Sequence, residues 1–217
     1  MPLTLVIANK AYSSWSMRPW LALKHLHIPF AERLIPLRGP EWAPSIAAQG
    51  AGSTVPILHD GEVTVWESLA ILDYLDATHA AGRLWPKDRA AMGLARAMAT
   101  EMHGGFAALR GHCPMNVRRR LEPYPPTSQA QTDVDRILAL WTRARDRFGG
   151  GGPFLFGAFS AADAMYAPVV MRLHFYALPV PAPDRAYMDA VLDLAAVREW
   201  LAAAAQEPWV IDDLERY

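Results

Sequence analysis

The chain has 217 residues, enough for one large domain or two compact ones, and 52% of them are apolar, enough to bury a real core. Its 21 basic and 22 acidic side chains leave a formal charge of -1, which gives no electrostatic footprint for a phosphate backbone and disfavours nucleic acid as a partner. The single cysteine, Cys113, excludes an intramolecular disulfide framework, CxxC redox chemistry and a multi-cysteine metal site. The run Met1 to Lys10 lacks the pattern of a secretory signal, and no apolar run approaches the ~20 residues of a membrane span. The expectation is a soluble, cytoplasmic chain with no membrane partner.

Leu3 to Ala8 is a short apolar run that stops at Asn9-Lys10 and reads as a buried strand followed by a loop. A helix is expected next, because Ser13, Ser14 and Ser16 offer cap oxygens and Trp20, Leu21, Leu23, Lys24 and His25 continue at helical spacing; Pro19 suits only its first turn. Phe30 to Leu34 reads as a second strand. The stretch from Leu37 to Gly52 is punctuated by proline and glycine, so a helix in it is short and irregular. Val55 to His59, the Asp60-Gly61 turn and Glu62 to Val65 form a hairpin. Glu67-Ser68 then opens a helix carried by Leu69, Ile71, Leu72 and Leu75.

Strand signals stop beyond this point. Asp88 to Arg110 and Thr127 to Phe148 read as helices, separated by a proline-rich break from Gly111 to Pro126. Ser160-Ala161-Ala162-Asp163 has the spacing of a capping box and opens another helix, and a last one is expected from Arg185 to Ala205. The fold class is therefore an α+β N-terminal unit ordered β-α-β, α, β-β-α, followed by an all-helical C-terminal unit. The expected ranges are 1–78 for the first, 79–87 for a linker and 88–217 for the second.

The segment Tyr12-Ser13-Ser14-Trp15-Ser16-Met17-Arg18 places hydroxyls at a helix N-terminus, where free N–H groups and the helix dipole favour an anion; a plain helix cap accounts for the same serines. Pro56 at the start of a strand cannot donate to a ladder, which leaves the Val55 backbone free to pair with an extended ligand. Ser68 can hold a carboxylate with its hydroxyl and N–H while Glu67 supplies a counter-charge for an ammonium, although Glu67-Ser68 is also an ordinary helix start. Seven histidines form no HExxH, and His103 and His112 fall nine apart, so no metal site is expected. Gly149 to Gly152 lacks the ending of a phosphate loop, and Arg118-Arg119-Arg120 reads as a solvated turn.

Taken together, the serine segment, Thr54-Val55-Pro56-Ile57-Leu58, Glu67-Ser68-Leu69-Ala70-Ile71 and, downstream, Gly157 to Asp163 resemble the glutathione transferase superfamily over nearly the whole chain. The resemblance implies a thioredoxin-like glutathione-binding domain followed by a helical domain. It implies that Val55 pairs with the cysteinyl backbone of glutathione before a cis Pro56, with Glu67 and Ser68 on the γ-glutamyl end. Thr54 replaces the basic or glutamine residue often found before Val-Pro, which leaves the glycyl carboxylate to another partner such as Arg38. The serine segment looks most like the serine-type classes, including zeta and tau, with Ser13 on their catalytic serine and Ser14 as the fallback.

Trp15 stands where the zeta class has cysteine, and Phe175 falls near its substrate-carboxylate arginine, with Arg172 one turn earlier. Trp15, Met102, His103 and Phe106 fall where the family places its pocket for the second substrate. The implied activity is conjugation of glutathione to a small hydrophobic electrophile, by a homodimer and with no metal. The alternatives are a maleylacetoacetate isomerase-like enzyme and a non-catalytic binding module. A thiol transferase would need cysteine where this chain has serine.

Overall fold

The computed structural model describes residues 3–216. Met1, Pro2 and Tyr217, which the expected unit ranges include, lie outside the described residues. A four-stranded sheet in the order β2-β1-β3-β4 is formed by β1 (Leu3–Ile7), β2 (Phe30–Leu34), β3 (Ile57–Asp60) and β4 (Val63–Trp66). β1 runs parallel to β2, with Leu5 opposite Glu32, and antiparallel to β3, with Leu5 opposite Leu58; β3 and β4 form the expected hairpin. Because successive side chains of a strand face opposite ways, β1 feeds two cores. Leu3, Leu5 and Ile7 join the large core shared with the helices, whereas Val6 joins Ile35, Ile46, Val55 and Ile57 on the other face. A strand buried on both faces is apolar throughout, and this is why Leu3 to Ala8 reads as a continuous run.

Three helices belong to this first unit: α1 (Ser14–His25), the short α2 (Trp42–Ala47) and α3 (Ser68–Thr78). α2 covers the smaller core with Ile46. α1 and α3 lie side by side on the other face, and α1 also packs against the helical unit. That unit contains α4 (Arg89–Gly104), α5 (Ala107–His112), α6 (Ser128–Phe148), α7 (Ala161–Phe175), α8 (Ala182–Leu192) and α9 (Ala195–Ala205), with a 3₁₀ turn at Asp212–Leu214. The arrangement is a thioredoxin-like unit followed by a helical one.

Four local expectations are corrected. Pro19 lies well beyond the first turn of α1, and the helix tolerates it because only one backbone N–H is lost while both faces stay packed. The hairpin loop is Gly61-Glu62, one residue later than Asp60-Gly61, because Asp60 pairs with Val63 and Gly61 takes the positive φ of 61°. The helix expected over 88–110 breaks after Gly104-Gly105, where Phe106 adopts a left-handed φ of 57° and restarts the chain as α5. The final helix is two, α8 and α9, separated at Asp193-Leu194.

α7 is buried from Ala161 to Leu173, mostly with apolar side chains, which makes it the axis of the molecule. Its start depends on Asp163, whose carboxylate accepts from the Ser160 N–H at 2.8 Å, the Ser160 hydroxyl at 2.7 Å and the Leu155 N–H at 3.0 Å. Burial outweighs these bonds and pushes the Asp163 carboxyl up to about 6. Asp163→Ala strands two buried N–H donors. We expect a loss of about 2 kcal/mol or more, read by urea denaturation as a lower midpoint at unchanged slope.

Candidate active-site cleft

The loop between β1 and α1 is held from many sides before it delivers Ser13. The Asn9 carbonyl accepts from the Ser13 N–H at 2.8 Å and from the Tyr12 N–H at 3.1 Å, while the Asn9 side chain accepts from the Leu37 N–H at 2.7 Å. The Glu207 carboxylate, from the C-terminal tail, accepts from the N–H groups of Lys10 and Ala11. Lys10 is buried between the rings of Trp20 and Trp200 and paired with Glu32. Tyr12 is tied to the same tail through Glu215 and the Ile211 N–H. Burial, then the Glu215 bond, raises the Tyr12 phenol above its ordinary value, so it stays protonated at neutral pH.

Ser13 is the N-cap of α1. Its hydroxyl donates to the Ser16 oxygen at 2.8 Å and accepts weakly from the Ser16 N–H at 3.4 Å; the Ser16 oxygen in turn accepts from the Ala8 N–H at 3.1 Å. Ser14, in the first turn, accepts from the Arg172 guanidinium at 3.4 Å. Both serines line a cleft of about 300 Å³ whose other walls include Trp15, Thr54, Val55, Arg110 and Arg172. A second, smaller hollow of about 220 Å³ is lined by Trp15, Thr54, Val55, Pro56, Glu67 and Ser68. Trp15, Thr54 and Val55 belong to both, so the two form one continuous groove across the end of the sheet.

The peptide between Val55 and Pro56 is cis. β3 starts only at Ile57, and the Val55 N–H and C=O bond no other described residue, so an unpaired strand edge faces the groove. Glu67 has a left-handed φ of 68°, an uncommon conformation for a residue with a side chain, and it turns β4 abruptly into α3. Ser68 follows at the first helical position, where its N–H has no intrahelical acceptor. His103 Nε2 lies 3.3 Å from the Glu67 carboxylate, and the His103 ring meets Trp15 edge-on at 5.3 Å.

Ser13, Ser14, Trp15, Thr54, Val55, Pro56, Glu67 and Ser68 are thus brought to one groove, and His103 stands beside it. Three other expected positions are elsewhere. Arg38 lines a separate surface pocket and pairs with Asp213 at 3.1 Å. Met102 and Phe106 are both buried in the core and line neither hollow of the groove. Arg118 is no solvated turn: its guanidinium donates to the carbonyls of Glu207 and Trp209 and to the Tyr12 oxygen, which staples the C-terminal tail. Arg110 and Leu214 complete the wall without any local signal, being far from Ser13 in sequence. Among the described residues no group of histidine, cysteine and acidic side chains could hold a metal.

A thioredoxin-like unit whose helix N-termini and unpaired backbone meet at one groove, capped by a helical unit, is a two-unit architecture with one shared cleft. Residues 12–78 match the model "Glutathione S-transferase, N-terminal domain" and residues 96–203 match "Glutathione S-transferase, C-terminal domain". The chain belongs to the glutathione S-transferase superfamily. Among solved structures, a glutathione transferase homolog from Burkholderia gl BGR1, with bound glutathione, superposes with a TM-score of 0.71 at 22% identity; 95% of this chain and all of that one are covered. The tau class transferase from the mango Mangifera indica gives 0.70 at 15% identity over 94% and 96% of the two chains. FzlA from C. crescentus gives 0.67 at 19% identity over 96% and 94%. No curated protein matches the chain significantly in sequence.

Proposed function

We propose that this chain is a glutathione transferase that ionises the glutathione thiol with the Ser13 hydroxyl and adds the thiolate to a small hydrophobic electrophile. The observation that carries the reading is the meeting, at one groove, of the α1 N-terminus, the unpaired Val55 backbone and the α3 N-terminus. Val55 hydrogen-bonds the cysteinyl backbone of the tripeptide, beside Thr54 and Pro56. Glu67 meets the γ-glutamyl ammonium, and the Ser68 hydroxyl and N–H meet its carboxylate. A free thiol with a pKa of ~8.5 is only a few per cent ionised at neutral pH. A hydroxyl donor at a helix N-terminus favours the anion without itself losing a proton, and no covalent intermediate or metal is required.

Ser13 is the better placed of the two serines for this role, because as N-cap its oxygen stands in front of the free N–H groups of α1, whereas Ser14 is engaged by Arg172. The hydroxyl proton now directed to Ser16 turns to the sulfur when glutathione is bound. Cys113, fully buried with its thiol pushed up to about 11 by desolvation, has neither the exposure nor the ionisation that a thiol transferase needs. The setting is the cytoplasm, where glutathione is held reduced.

Ser13→Ala is expected to lower kcat/KM by ~10²- to 10³-fold, as when one donor is deleted from a preorganised anion site. The thiolate absorbance of bound glutathione should then titrate at higher pH; full activity in Ser13→Ala with loss in Ser14→Ala would transfer the role to Ser14. Glu67→Ala and Ser68→Ala are expected to weaken glutathione binding by about 10- to 100-fold, the loss of a charge-assisted hydrogen bond. Calorimetric titration with glutathione measures this, and unchanged affinity in both folded variants rejects the site.

The chain acts as a homodimer in this reading. Trp66 lies 47% exposed on the edge strand β4, a large apolar side chain that a two-fold contact would cover. Light scattering at micromolar concentration should give a mass near twice 24.0 kDa. A concentration-independent monomer overturns the dimer and leaves the chemistry standing.

A further inference from the structure

The groove is bordered by an uncompensated cluster of positive charge. Arg18 is fully buried, donates from Nε to the Met165 carbonyl at 3.1 Å, and leaves both terminal nitrogens without a partner. Its guanidinium stacks on the Trp15 ring, 3.8 Å from the centroid. Arg110 reaches the same ring from α5, at 5.4 Å, with its Nε buried and unpartnered. Arg172, only 4% exposed on α7, donates to the carbonyls of Cys113 and Pro168 and touches Ser14. None of the three pairs with a carboxylate among the described residues. The Arg18 guanidinium is pulled well below its ordinary value by burial and then by the charge of Arg172, and burial followed by Arg110 brings Arg172 down to about 10.

Burying like charges together without an anion is costly, since desolvation and mutual repulsion both oppose it. Arg110 and Arg172 line the groove beside Ser13, on the side formed by the helical unit with Pro114, Met115 and Leu214, away from the hollow at Glu67 and Ser68. The reacting partner of the sulfur has to occupy that side. We propose that the second substrate is a carboxylate-bearing electrophile, its apolar body against Met115 and Leu214 and its carboxylate held between Arg110 and Arg172. This rests on the conjugation reading above and adds the class of acceptor. A guanidinium pair suits a carboxylate because its N–H donors match the two oxygens. The two hollows, about 300 and 220 Å³, are shared between the tripeptide and an acceptor no larger than one substituted aromatic ring.

The test compares 4-chloro-3,5-dinitrobenzoate with its methyl ester as acceptors. In both, the glutathione sulfur bonds to the ring carbon, chloride leaves with the electron pair, and the thiol proton passes to solvent. With each kcat/KM divided by the uncatalysed rate constant, the wild type is expected to favour the acid by at least about 10-fold. Arg110→Gln should cut that preference by about 10-fold or more, and Arg110→Lys should restore part of it, while glutathione affinity by calorimetry stays within about twofold. Equal treatment of acid and ester by the wild type, an equal fall for both in Arg110→Gln, or a loss of glutathione affinity in its place overturns the proposal. Calorimetric titration with benzoate separates it from the conjugation reading. Benzoate binding that Arg110→Gln weakens, in a protein that conjugates neither compound, supports the carboxylate site and rejects the transferase; no benzoate binding by the wild type rejects the carboxylate site whatever the turnover.

Discussion

The buried contact between α1 and α7 governs this molecule. α1 is amphiphilic in an unusual sense: one side closes the sheet of the first unit and the other lies on α7, so its buried residues run from Ser14 to Leu23 with only Trp15 partly open. Arg18 crosses the seam to the Met165 carbonyl, and the Ser68 hydroxyl reaches the Met165 sulfur at 3.9 Å. α1 and α3, whose N-termini form the groove, are therefore both referenced to one turn of α7. The position of α7 is set by Asp163 at its start and by the Ala161 N–H bonded to the Leu84 carbonyl. The groove is accordingly a product of the interface between the units, and neither unit alone carries all of its walls.

That placement explains the electrostatic character of the groove. Helix N-termini bring partial positive charge without any ionised side chain, and the left-handed Glu67 lets α3 start at the end of β4 with no intervening loop. Trp15 divides the groove. On one of its sides stand Glu67 and His103, a carboxylate and an imidazole; on the other stand Arg110 and Arg172. Two ends of opposite character, separated by one indole, give an asymmetric ligand a single orientation.

Much of this is legible in the residues themselves. β1 is legible because both its faces are buried, α7 because the capping box Ser160 to Asp163 opens it, and the groove's first-unit walls because Ser13 and Glu67-Ser68 stand at helix starts and Val55 precedes a proline. Most of what escaped had no local cause; the Gly104-Gly105 pair inside the expected helix over 88–110 is the exception. Pro19 is tolerated inside α1 by packing on both sides, a tertiary effect that spacing does not reveal. Phe106 and Asp193-Leu194 break helices without proline. Arg38, expected beside the glycyl carboxylate, pairs with Asp213, 175 residues away. Met102, expected at the pocket, is a core residue, and Arg110, to which no motif assigns a role, lines the groove from the separate helix α5. Arg118 has its partners in the tail, beyond the reach of any sequence window.

The tail has a consequence for biosynthesis. Glu207 closes over the N–H groups of Lys10 and Ala11 across 197 and 196 residues, and Tyr12 finds Glu215 across 203. A ribosome therefore makes the four strands and the three helices of the first unit long before the tail groups that help to hold the loop in front of Ser13. A chain that stops short of Glu207 lacks the acceptor for the Lys10 and Ala11 amides, while its first loop keeps the bonds from Asn9, Ser16 and Glu32.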